Sequence, residues 1–81
     1  MQPSLLDAPL LPAPETYTGR VGTLLMAHRN QWVDGLEIAK VGGAYAWRSR
    51  LSDLRKFYGW TVENRQRRQG RRVISEYRLV V

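Results

Sequence analysis

Val21, Leu24, Leu25 and His28 recur at helical spacing just after Thr18, a residue type whose hydroxyl caps helices, and this predicts a first helix over about residues 19–30. Gln31-Trp32-Val33 then reads as a short extended connector. Asp34-Gly35-Leu36-Glu37 matches a capping box, in which Asp34 takes an orphan amide of the first helical turn and Glu37 reaches back to the Asp34 amide. A short second helix follows to about Val41, and Gly42-Gly43 ends it because glycine accepts the left-handed backbone of a tight turn. The clearest pattern runs from Ala44 to Tyr58, where Trp47, Leu51, Leu54 and Tyr58 form one apolar stripe of a third helix, with Gly59 at its C-terminal end.

Beyond Gly59 the period changes from helical to two. Trp60, Val62 and Asn64 alternate with Thr61, Glu63 and Arg65, and Val73, Ser75, Tyr77 and Leu79 alternate with Ile74, Glu76, Arg78 and Val80. Two strands are expected, joined around Gly70. Three helices followed by this two-stranded β-hairpin make an α+β chain with the element order of a winged helix-turn-helix. All four prolines (Pro3, Pro9, Pro12 and Pro14) fall in the first fourteen residues, which have no sustained periodicity. The domain is therefore expected over residues 18–81, behind a flexible Pro-rich tail over residues 1–17.

Charge changes the picture from fold to partner. The 81 residues carry 13 Lys and Arg against 7 Asp and Glu, and eleven of the thirteen cations are arginine. All of them, but only five of the acids, lie after residue 17, so the expected domain alone carries +8. A polyanion is the partner such a surface implies, and arginine is the cation suited to bidentate phosphate and guanine contacts. Two sets of residues are placed to make them. On the third helix the face opposite the apolar stripe presents Tyr45, Ser49, Ser52 and Lys56, with Arg48 and Asp53 on its margins. The hairpin carries Arg65, Arg67, Arg68, Arg71 and Arg72, which repel one another unless an anion lies among them. Arg50 and Arg55 flank the apolar stripe instead, so at least one is expected in a structural ion pair, with Glu37 or Glu63 as candidate partners.

At this point the chain resembles the small phage-associated winged helix-turn-helix domains. The resemblance covers about residues 19–80 and rests on Trp32-Val33-Asp34-Gly35-Leu36-Glu37-Ile38-Ala39, Arg50-Leu51-Ser52-Asp53-Leu54-Arg55, Gly59-Trp60-Thr61-Val62-Glu63-Asn64-Arg65 and Tyr77-Arg78-Leu79. It implies a double-stranded DNA-binding protein of the bacterial host cytoplasm, a phage or prophage transcriptional regulator or a recombination accessory factor. In that reading the long helix enters the major groove and the arginine-rich wing lies on phosphates or in the minor groove. A single module buries only about 600 to 1,000 Å² on DNA, so a homodimer or a second DNA-bound protein is expected, with Trp60 or Val80-Val81 as candidate contacts. An acidic host protein or an RNA would answer the same charge.

Other chemistries find no support. With no cysteine and with His28 as the one histidine, a zinc site cannot be assembled, and no cofactor motif or small-molecule site is expected. Ser49 and Ser52 lack an adjacent base, the acids read as caps or surface residues, and no Gly-Lys-Ser/Thr follows Gly42-Gly43, so the chain is not expected to be an enzyme. No apolar run is long enough to span a membrane, and no secretory signal is read. In the tail, Gln2-Pro3-Ser4-Leu5-Leu6 is similar to short peptides that bind bacterial sliding clamps.

Overall fold

The computed structural model describes residues 11–81, which form helix α1 (Tyr17–Ala27), strand β1 (Val33–Asp34), helices α2 (Gly35–Gly42) and α3 (Trp47–Phe57), and strands β2 (Thr61–Gln69) and β3 (Arg72–Val80). The architecture is α+β, with three helices against a three-stranded antiparallel sheet in the order β1-β3-β2. The connector expected around Val33 is a strand in its own right, pairing Val33 with Tyr77 and Asp34 with Glu76. The sheet therefore has three strands where the alternation pattern indicated two. Two residues are too few to display a period, and their partners lie far downstream in the chain.

Helix α1 begins earlier than Thr18. Thr16 is the N-cap, its hydroxyl accepting from the Gly19 amide at 2.9 Å, while Thr18 sits inside the helix with its own hydroxyl 3.5 Å from Asp53 Oδ2. The chain before Thr16 folds back on the helix: Pro12 is buried, and a Cβ on Gly19 would lie only 1.8 Å from the Ala13 carbonyl oxygen. Part of the expected tail thus belongs to the packed unit, and Gln2-Pro3-Ser4-Leu5-Leu6 lies outside the described residues. The helix also stops short, at Ala27. Asn30, with φ +64°, donates its amide to the Leu79 carbonyl (2.7 Å) and accepts from the Val81 amide through its side chain (3.1 Å), fastening β3 to the end of α1.

Asp34 caps α2 as expected, with Oδ1 accepting from the Leu36 amide at 2.8 Å. The reciprocal half of the capping box is not made, because Glu37 pairs with Lys40 at 3.0 Å on the exposed side of the helix. Of the two glycines after Val41, only Gly43 has positive φ (+92°). Gly42 is needed for closeness instead, since a Cβ there would meet Val21 Cγ2 at 2.7 Å and Trp47 Cβ at 3.1 Å. Residues 44–46 turn, so α3 starts at Trp47 rather than Ala44.

The apolar stripe of α3 delivers Trp47, Leu51 and Leu54 to one core with Val21, Leu25, Val33, Ile38, Trp60, Val62, Tyr77 and Leu79. Trp47 meets Tyr77 edge to face, with ring centres 5.6 Å apart. Trp60 is buried in this core, which removes it as an exposed oligomer contact, whereas Val80 and Val81 are exposed. Arg55 ties α3 to β2 by donating from Nε (2.9 Å) and a terminal nitrogen (2.6 Å) to the Val62 carbonyl, not to Glu63. Arg50 does make the expected ion pair, but with Asp53 at 3.9 Å.

Candidate nucleic-acid interface

Because the core takes one side of α3, its other side is left to solvent. Arg48, Ser49, Ser52 and Lys56 are all exposed there, and Tyr45, in the turn just before the helix, is 104% exposed. The one acid of α3, Asp53, is turned toward Arg50 and Thr18 and leaves this face without a negative charge. Arg48 stacks over the Trp47 ring at 4.3 Å and Lys56 lies 5.3 Å from the Phe57 ring, contacts that restrict each cation without neutralising it.

The hairpin is closed by Gly70-Arg71, with Gln69 opposite Arg72 and Gly70 at φ +62°, the conformation glycine supplies at the first central position of a two-residue hairpin turn. That register sorts the five arginines. Side chains alternate between faces along a strand, so Arg65 and Arg67 share the outer face with Glu76, while Arg68, opposite Val73, shares the face of Tyr77 and Leu79. Arg65 and Arg67 both donate to Glu76 Oε1, at 3.0 and 3.3 Å, and Glu76 is buried at 8% exposure. These two cations are partly spent within the protein. Arg68, Arg71 and Arg72 make no ion pair among the described residues.

Trp32, in the connector before β1, adds a contact that no local pattern signals. The guanidinium groups of Arg65 (4.2 Å) and Arg78 (4.4 Å) both pack on its ring, and Arg78 in turn donates to Glu63 at 3.0 Å. An Arg–Trp–Arg stack flanked by two carboxylates therefore braces the outer face of the sheet. Arg20, which no local pattern singles out, and Arg50 both lie 5.5 Å from the Tyr17 ring, beside the start of α1.

Cations from helix and hairpin come together at one cleft. Arg48 of α3 and Arg72 of β3 line a single cleft of about 140 Å³ together with Asp34, Gly35, Leu36, Trp47, Val73, Ile74 and Ser75. No family model, curated protein or solved structure matches the chain. What the site does must be read from its own chemistry. Among the described residues no group of three or more metal-ligating side chains comes together, and His28 is exposed at the end of α1. No described helix is long and apolar enough to cross a membrane.

Proposed function

We propose that the chain is a winged helix-turn-helix that binds double-stranded DNA, with α3 entering the major groove and the β2–β3 hairpin acting as a wing on phosphates or in the minor groove. The observation that carries this reading is the shared cleft of Arg48 and Arg72: cations from helix and hairpin border one surface, and neither has a counter-ion among the described residues. A major groove is wide enough for a helix whose exposed side bears Tyr45, Arg48, Ser49, Ser52 and Lys56, a set rich in donors and free of acids. The deep, narrow groove of duplex RNA would exclude it. Within the wing, Arg68, Arg71 and Arg72 are the phosphate or minor-groove contacts, and Arg65 and Arg67 mainly hold the hairpin. The role that follows is a DNA-bound regulator or recombination accessory, of the kind the phage-associated resemblance implies.

The test is equilibrium binding to random-sequence duplex over a range of salt, followed by selection of preferred sequences from the same pool. Each phosphate neutralised contributes about −0.9 to the slope of log K against log salt, so changing Arg67, Arg68, Arg71 and Arg72 together to alanine should weaken binding and make the slope shallower by roughly 2 to 3. An unmutated protein with no appreciable duplex affinity would overturn the reading.

A further inference from the structure

The cleft shared by α2, α3 and β3 has chemistry that a duplex does not use. Strand β1 pairs with β3 only at Tyr77 and Glu76, and Gly35 at the start of α2 stands against the Ser75 carbonyl, so from Ile74 back to Arg72 strand β3 is paired by β2 alone. An unpaired strand edge of this kind is a template for one more strand. Beside it the cleft is walled by Leu36, Trp47 and Val73, and Leu36 and Val73 are 58% and 55% exposed, unusual for aliphatic side chains flanking a cavity. Arg48 and Arg72 line the same space without an ion pair among the described residues, and its acid, Asp34, already has one oxygen on the Leu36 amide.

A phosphodiester gains nothing from aliphatic walls. An extended peptide does, because its side chains alternate: the backbone pairs with the edge, an aliphatic side chain enters the cleft, and neighbouring carboxylates meet the two arginines. We propose that this cleft binds an extended acidic peptide segment, alternating carboxylate and aliphatic side chains, which adds to the edge of β3 between Arg72 and Ile74. The charge of the walls selects the acid, and the exposed Leu36 and Val73 select the aliphatic residue. Since Arg48 and Arg72 would serve both ligands, such a segment would also displace duplex from the protein. The site does not depend on the DNA reading, and its test needs no nucleic acid.

The probe is a library of hexapeptides alternating Asp or Glu with Leu, Ile or Val, titrated against the full chain. Two control libraries replace the acids by Asn and Gln or the aliphatic residues by Ser. The best alternating peptides should bind about tenfold or more tighter than the best of either control, and the amide resonances of Leu36, Val73 and Ser75 should shift on binding. Arg48→Ala with Arg72→Ala should weaken binding by about tenfold, and Leu36→Ser or Val73→Ser, at exposed positions that spare the fold, by roughly three- to tenfold. Serine-containing peptides binding equally well would reduce the interaction to bare charge and overturn the proposal. So would no binding at about 1 mM, or resonance shifts confined to residues away from the cleft. A protein that binds peptide but not duplex would sink the DNA reading and leave this one standing; the reverse result would do the opposite.

Discussion

Arg65 donates from Nε to Glu76 Oε1 at 3.0 Å directly across the hairpin, and the carboxylate it reaches is almost closed to solvent. Arg67 takes the same oxygen, so a single negative charge holds two of the wing's five arginines in place. Neutralising it should have two opposite effects. Glu76→Gln is expected to lower stability by about 1 to 2 kcal/mol in urea denaturation, because two charge-assisted hydrogen bonds weaken while both arginines remain partly hydrated. In the DNA reading it should also tighten non-specific duplex binding and steepen the salt slope by about 1, as two guanidinium groups become available. A stability loss with no change in salt slope would place Arg65 and Arg67 out of reach of the duplex.

Trp32 supplies the other half of that brace. Two guanidinium groups at 4.2 and 4.4 Å from its half-buried indole ring make this a packing site as much as an electrostatic one. Trp32→Ala should cost about 2 to 3 kcal/mol, and Trp32→Phe, which keeps a weaker ring face, less than half as much. Thermal denaturation of the two variants beside the parent would separate the outcomes. Equal losses would mean that an aromatic ring at this position contributes nothing beyond alanine, and the stack would not be what holds the residue.

How far the sequence discloses this arrangement depends on the range over which each signal acts. The α3 stripe of Trp47, Leu51 and Leu54 is a local periodicity, and the structure buries all three. The exposure of Arg48, Ser49, Ser52 and Lys56 follows from the same period read on its other side. Strand β1 was not legible, since Val33 and Asp34 acquire their strand character from Tyr77 and Glu76. Thr16 and Thr18 offer the same capping hydroxyl, and what decides between them is the approach of Gly19 to Ala13, a tertiary contact. The Glu76 pairs were within reach: taking Gly70-Arg71 as the turn sets Arg65 opposite Glu76 and Glu63 opposite Arg78, and reading the five arginines as one cluster overlooked that register.

Gly19 offers a sharper test of the packed segment before α1. A Cβ at this position would stand 1.8 Å from the Ala13 carbonyl oxygen and 2.9 Å from Pro14 Cα, both backbone atoms that cannot swing aside. Alanine gains up to about 1 kcal/mol of helix propensity over glycine, but overpacking against fixed backbone typically costs about 1 to 3 kcal/mol. Gly19→Ala is therefore expected to be net destabilising by about 1 to 2 kcal/mol, with the Thr16 amide, bonded to the Ala13 carbonyl at 3.1 Å, losing hydrogen-exchange protection first. A variant as stable as the parent, with unchanged exchange at Thr16, would show that the segment is not held against α1.

Arg48 and Arg55 lie on the same helix with opposite engagements, and comparing them separates binding from folding. Arg55 spends two donors on the Val62 carbonyl, so Arg55→Met should lower stability by about 1 to 3 kcal/mol while leaving duplex affinity, measured where the variant is fully folded, within about twofold. Arg48 has only the Trp47 ring beneath it, and Arg48→Ala should change stability by less than about 1 kcal/mol. Its effect should fall on recognition instead, because a guanidinium that reaches a guanine edge is worth about 1 to 3 kcal/mol of discrimination, which appears as lost preference between selected and random duplexes. If Arg48→Ala leaves that preference intact while Arg55→Met removes it, α3 does not read base edges through this face, and specificity must come from the wing or from a partner.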